Sequence, residues 1–313
     1  MQIPFFEAIA DAGTVLIAGA GGGFDIVSGI PLYLYLRRLG KQVILANLSF
    51  SELAFTDSEE ICPGAFLVTA QSREVPYFPE KMIVEWLQAR NEAPVMAGFS
   101  NKLGVQPLRH AYQTLIDRYQ VDALVLVDGG TDSLMFGDEA GVATIVEDAC
   151  SMLAASLTTV RNSYLLAIGF GVDFFHDLNH HSCLENIATM IKDGQYLGAQ
   201  ALTNDSAEGQ GFLELVAYLN QRMAFHESIV TNSIASAMQG EFGDHQVSRR
   251  TQGSALFINP LMSLGWYFRL GGLVARMQFA DKIEASQTMK EVAQAVTVFR
   301  AIVTRRPNLP IPL

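Results

Sequence analysis

Five short apolar runs, at residues 14–18 (TVLIA), 42–46 (QVILA), 94–98 (PVMAG), 123–127 (ALVLV) and 164–168 (YLLAI), alternate with stretches of helical period. A strand covered by helices on both faces has no solvent side, so it reads as a nearly unbroken apolar run. Repetition of run, turn and amphipathic stretch is the pattern of βα units wound onto a parallel sheet. The expected fold is therefore α/β: a Rossmann-like doubly wound, mostly parallel sheet. No low-complexity tract or long linker interrupts the 313 residues. A single α/β domain is expected over 1–313, with a helical elaboration at about 195–250.

The helices follow from apolar spacing. Pro79 suits the first turn of a helix running to about residue 90. Leu108, Ala111, Leu115 and Tyr119 share one side of the next, and Val142, Ile145, Val146, Ala149 and Leu153 form a stripe on another. Glu147 and Asp148 lie off that stripe and are expected to be solvated, and Asp138 is expected to cap a helix beginning at Glu139. Residues 66–69 are a further short strand, 209–240 two consecutive helices, and 254–258 a late strand. Met289, Val292, Ala293, Val296 and Phe299 mark the inner face of the last helix.

Half the residues are hydrophobic and 17% are charged, with a mean hydropathy of +0.22. The rival explanation for such richness is a membrane span, which needs ~20 nearly uncharged residues. The best candidate, residues 254–268, contains Asn259 and Pro260 and then meets Arg269. Membrane insertion is therefore not expected. A net charge of −11 opposes nucleic-acid binding, because phosphate backbones attract basic faces. Three cysteines without CxxC spacing and a start lacking a secretory pattern point to reduced thiols and a cytoplasmic protein. A homodimer is the expected assembly for a chain this apolar.

Ligands of open α/β sheets bind beyond the carboxyl ends of the strands. Three loops fall there: Gly19-Ala20-Gly21-Gly22-Gly23-Phe24-Asp25, Asp128-Gly129-Gly130-Thr131-Asp132 and Gly169-Phe170-Gly171-Val172-Asp173. The amides of Gly21, Gly22 and Gly23, with Gly129 and Gly130, are expected to cradle an anionic ligand. The dinucleotide fingerprint fails, because Phe24 replaces its third glycine and Ala46-Asn47 stands where an acid would hold a ribose. Neither a GK[ST] phosphate loop nor a GxSxG elbow is present.

The carboxylates are the more unusual feature. Buried like charges repel unless a cation, a ligand amine or a shared proton relieves them, and oxygen-rich sites suit Mg²⁺ or Mn²⁺. Asp25, Asp128, Asp132 and Asp173 are the candidate metal ligands. Asp128, Asp132 and His176 are the candidate acid/base groups. His180, His181 and Cys183 follow His176 without a recognisable zinc spacing. Arg250, in the Arg249-Arg250 pair, is a candidate clamp for a carboxylate or phosphate.

The order GGGFD at 21–25, VDGGTDSLMFGDEAG at 127–141, VEDA at 146–149 and SIASAMQGEFG at 233–243 resembles the family catalogued as domain of unknown function 1152. The resemblance spans nearly the whole chain, with the DGGTD…GDE stretch its most specific part, and it implies a fold and a site location without a reaction. Two functions are expected from the residues. The first is a small-molecule enzyme, a lyase, hydrolase or transferase rather than an NAD-dependent dehydrogenase, acting on a phosphorylated or carboxylated metabolite. The alternative is a nucleotide- or metabolite-binding sensory module without turnover.

Overall fold

The computed structural model describes residues 2–245 and 256–311. In chain order it contains α1 (Pro4–Ala8), β1 (Thr14–Gly19), α2 (Asp25–Arg38), β2 (Gln42–Ser49), β3 (Glu59–Cys62), β4 (Ala65–Val68), α3 (Pro79–Gln88), β5 (Val95–Ser100), α4 (Val105–Tyr119), β6 (Ala123–Gly129), α5 (Ile145–Ser156) and β7 (Asn162–Ile168). There follow α6 (His180–Lys192), β8 (Tyr196–Ala201), α7 (Ala207–Arg222), α8 (Ile229–Met238), β9 (Gly243–Asp244), β10 (Phe257–Ile258), β11 (Leu264–Arg269), α9 (Leu270–Arg276), α10 (Ala280–Ile283) and α11 (Met289–Ile302).

Nine strands form one sheet in the order β3-β4-β5-β2-β1-β6-β7-β11-β8. The central five, β5-β2-β1-β6-β7, are all parallel, so the fold is Rossmann-like and doubly wound. Side chains of the central strands alternate between two cores. Leu16, Ala18, Ile44, Ala46, Leu124 and Leu126 face α4, α5 and the C-terminal helices. Val15, Ile17, Val43, Leu45, Val125 and Val127 face α2, α3 and α7. This period of two, with both faces apolar, explains why the runs are unbroken.

The chain leaves β1 for β2 on one side and returns to β6 on the other, so β1 and β6 flank the point where strand order reverses. Their carboxyl ends are level, with Gly19 opposite Val127. A cleft opens there between diverging connections.

The sheet edges differ from the sequence reading. Residues 196–201, expected within a helical elaboration, form β8, and β11 inserts antiparallel between β7 and β8. Both strands are partly exposed; Gly198 and Gln200 interrupt β8, and β11 begins inside the apolar stretch 254–268. The expected strand at 254–258 is reduced to β10, which pairs with β9 in a separate ribbon. Residues 254 and 255 lie outside the described residues. The two expected helices at 209–240 are α7 and α8. No described helix is long and apolar enough to cross a membrane.

Candidate functional site

The loop after β1 is pinned from three sides. The Ala20 amide donates to the Val127 carbonyl at 2.8 Å, and the Ser151 hydroxyl of α5 donates to the Ala20 carbonyl at 2.6 Å. From below, the Asn47 side-chain amide donates to the Gly23 carbonyl at 2.9 Å and to Glu80 at 2.7 Å. Asn47 stands where a dinucleotide fold would place its ribose-binding acid. Here it is fully buried and holds the loop.

Above this junction lies a cleft of about 510 Å³. Its lining brings together Gly21, Gly22, Gly23, Asp25, Asp128, Gly129, Asp132, Asp173 and His176, residues from all three expected loops and the segment beyond them. Gly130 lies beside it rather than in its wall, and Arg250 falls outside the described residues. Two further acids line the cleft, Glu147 and Asp148. Among the described residues, no lysine or arginine does.

Asp25, Asp128 and Asp148 come closest, each offering an oxygen within 4.8 Å of the other two. They arrive from the start of α2, the end of β6 and the first turns of α5. Small residues make that convergence possible. A Cβ at Gly21 would stand 2.7 Å from Asp148 Oδ2 and 2.9 Å from Asp25 Oδ2. One at Gly130 would stand 2.8 Å from Asp173 Oδ2 and 3.0 Å from Asp128 Oδ1. Real Cβ atoms do not approach oxygens that closely, so these glycines are the room in which the carboxyls meet.

Each acid is held differently. Asp25 Oδ2 accepts the Gly21 amide at 2.6 Å. Asp128 Oδ2 accepts from the Ser133 amide at 3.2 Å and from the Ser133 hydroxyl. Asp132 Oδ2 accepts the amide and hydroxyl of Thr144, at 3.0 and 2.8 Å. Asp173 Oδ2 accepts the Thr131 amide at 2.8 Å, tying the second loop to the third. Asp148 is 2% exposed, and its Oδ1 is buried without any hydrogen-bond partner. Such a group ordinarily incurs ~1–3 kcal/mol of desolvation.

Burial and mutual repulsion dominate the electrostatics. Burial and the charge of Asp132 push the Asp25 carboxyl up to about 8, against the backbone amides of Gly21, Gly129 and Gly22. Asp128, Asp148 and Asp173 stand well above the usual carboxylate range, first from burial and then from repulsion by Asp132. Asp132 is raised by burial, while Thr144 and the nearby His176 pull it down. Without a cation the cluster must hold protons.

Several expectations change. The Gly21 amide is bound to Asp25 and the Gly23 amide to the Leu48 carbonyl at 3.1 Å, so neither is presented to an anion. The glycines serve the acids instead. Asp148, expected to be solvated, sits in the innermost trio, and Glu147 borders the cleft. The helix expected from Glu139 begins at Ile145. Glu139 is 0% exposed and pairs with Arg306 at 2.7 Å, as Asp138 does at 2.8 Å. The histidine segment divides. His176 borders the acidic cleft, whereas His180 and His181 line a separate, largely apolar one with Phe170 and Phe174. Cys183 is fully buried with its thiol toward the Thr131 carbonyl.

A family model described as "Protein of unknown function (DUF1152)" matches residues 16–304, and the chain belongs to that family. No curated protein and no solved structure matches it.

Proposed function

We propose that Asp25, Asp128 and Asp148 hold a divalent cation, Mg²⁺ or Mn²⁺, and that the chain is a metal-dependent enzyme acting on a small molecule. The observation that carries this reading is the buried, unpartnered Asp148 Oδ1 in a trio of carboxyls within 4.8 Å. Oxygen-rich, charged sites of this kind suit hard divalent cations. An ion there would replace the protons that the cluster otherwise holds and would present open coordination positions to the cleft. A substrate carboxylate or phosphate would reach the acids through the ion, which polarises the bound oxygen.

Asp132 and His176 are the proposed proton carriers. Both line the cleft, and the attraction of His176 opposes the burial that raises the Asp132 carboxyl, pairing an acid with a base in the same cleft. Asp173 is proposed to orient the second loop through the Thr131 amide. The chemistry fits a lyase, hydrolase or transferase, because the loop lacks the acid and the glycine that dinucleotide binding uses.

Mn²⁺ titration of the full chain, followed by electron paramagnetic resonance, tests the site. One saturable ion per chain is expected, displaced by excess Mg²⁺. Absence of saturable binding overturns the metal site and leaves the sensory-module reading in its place.

A further inference from the structure

One wall of the acidic cleft is aromatic, and the acid/base reading makes no use of it. Phe24, Phe50, Tyr77 and His226 all line it. Tyr77 meets Phe24 edge-on at 5.7 Å and 74°, and His226 edge-on at 5.5 Å and 83°. Phe50 lies across the glycine loop. Its ring carbons come within 3.0 Å of the place a Cβ would take at Gly22, and 3.3 Å at Gly23. Both glycines have positive φ, +92° and +61°, so they form the turn and leave the ring its seat. Phe50 remains 45% exposed, and Gly22, Gly23 and Tyr77 beside it also line the cleft.

Six carboxyls share the lining: Asp25, Asp128, Asp132, Glu147, Asp148 and Asp173. A single divalent ion offsets two negative charges. No lysine or arginine among the described lining residues pairs with the remaining carboxyls, whose hold on protons burial strengthens. An aromatic face carries negative charge density on its ring and attracts cations, above all ammonium and guanidinium groups held near carboxylates. A wholly anionic ligand gains nothing from the rings or the carboxyls beyond the metal itself.

We propose that the substrate carries a positively charged nitrogen, an ammonium or guanidinium, seated at the Phe50–Tyr77–His226 wall. It rests on the metal-site reading only for the opposite, oxygen-bearing end of the same molecule. The substrate class is then zwitterionic: oxygen donors at the trio and a cationic nitrogen at the rings.

The test uses the Mn²⁺-loaded full chain and two probes matched in shape. One is choline, and the other is the neutral alcohol bearing a tert-butyl group in place of the trimethylammonium. Choline is expected to bind at least tenfold more tightly. Phe50→Ala and Phe50→Leu are each expected to remove most of that preference while leaving Mn²⁺ affinity within twofold. Phe50 is nearly half open, and the leucine variant keeps an apolar side chain there, so loss of folding does not mimic the result. Equal binding of the two probes, or binding of neither, with Mn²⁺ still saturable, overturns the cationic substrate and leaves the metal site standing. A choline preference in a chain that takes up no Mn²⁺ upholds the aromatic wall and overturns the metal.

Discussion

Asp148→Asn separates a site evolved for a cation from an acid that is merely buried. The side chain is 2% exposed, one oxygen lacks any partner, and its nearest charges are Asp132, Asp128, Asp25 and Glu147, all of the same sign. Burial and those charges raise its carboxyl well above the usual range, so the folded chain keeps a proton to higher pH than the unfolded chain does, and asparagine removes that obligation at nearly the same volume. Asparagine keeps a buried polar group there but removes the need to hold a proton, which costs the wild-type chain about 1.4 kcal/mol for each pH unit above the unfolded carboxyl's value. For a chain of this size each such step raises the variant's melting temperature over wild type by roughly 2 °C. The gain should be present at about pH 7, shrink towards about pH 4 and vanish below about pH 3, where both states of the wild-type chain carry the proton.

Mn²⁺ affinity should move the other way. Losing an outer-shell partner of a metal typically weakens binding ~10–100-fold, and a direct ligand should cost at least the upper end of that range. Wild type with Mn²⁺ at ~100 times its Kd gains about 2.7 kcal/mol, whereas the variant at the same concentration should gain almost nothing. Differential scanning fluorimetry with and without Mn²⁺ at both pH values reads all four quantities. A variant that melts at or below wild type without metal, and binds Mn²⁺ as well, refutes the argument.

Three further outcomes follow from the same coordinates. The metal-free chain should lose stability as pH rises from about 4 to about 8. Asp25, with its carboxyl at about 8, keeps a proton that the unfolded chain gives up, a loss of about 1.4 kcal/mol per pH unit from that group. Saturating Mn²⁺ should flatten the slope, and urea unfolding at stepped pH that shows flat or rising metal-free stability would contradict it. Gly21→Ala should reduce Mn²⁺ binding at least tenfold without removing any charge, because the new methyl would stand 2.7 Å from Asp148 Oδ2; unchanged Mn²⁺ titration would show that the carboxyls need not meet there. Arg306→Ala should lower the melting temperature by roughly 4–5 °C, corresponding to about 3 kcal/mol. The substitution leaves Glu139, at 0% exposure, without its cation; a drop under about 1 °C would show that the Phe136 and Gly137 amides and Asn186 hold it alone.

The parallel core was legible because strands buried on both faces leave no polar position to confuse the reading. The antiparallel edge was not: β8 and β11 are half open, and their mixed patterns carry less information than a helix or a central strand. The site shows the same division. Asp25, Asp128, Asp132 and Asp173 follow strands directly, so topology alone carries them to one rim. Asp148 was misread because it lies off an apolar stripe, a rule that holds for a helix with one wet face. Residues 149–156, ACSMLAAS, contain no charge at all, and Asp148 and Ala149 through Ala155 are all buried. That stretch without a solvated face was the available signal. The aromatic wall had no comparable one. Phe50 follows β2, Tyr77 precedes α3 and His226 lies between α7 and α8, so they are far apart in sequence and share a cleft only in the fold.

A carboxyl set this dense is costly to keep in a fold that could stabilise itself more cheaply with asparagine at any of these positions. Structural roles do not account for the cost. The hydrogen bonds from Gly21, Ser133, Thr144 and Thr131 to the acids use one oxygen of each and would be met almost as well by a neutral amide. Asp148 lacks even that explanation for its Oδ1. Asp148 is tied to nothing through Oδ1, and Gly21 cannot accept even a methyl group beside it without moving two of the three carboxyls. On the proposed reading, the carboxyls at the point where strand order reverses, and the bare backbone beside them, serve a charge that the chain does not itself contain. The measured sign of the Asp148→Asn stability change, set against the sign of its Mn²⁺ response, decides whether that charge is a metal.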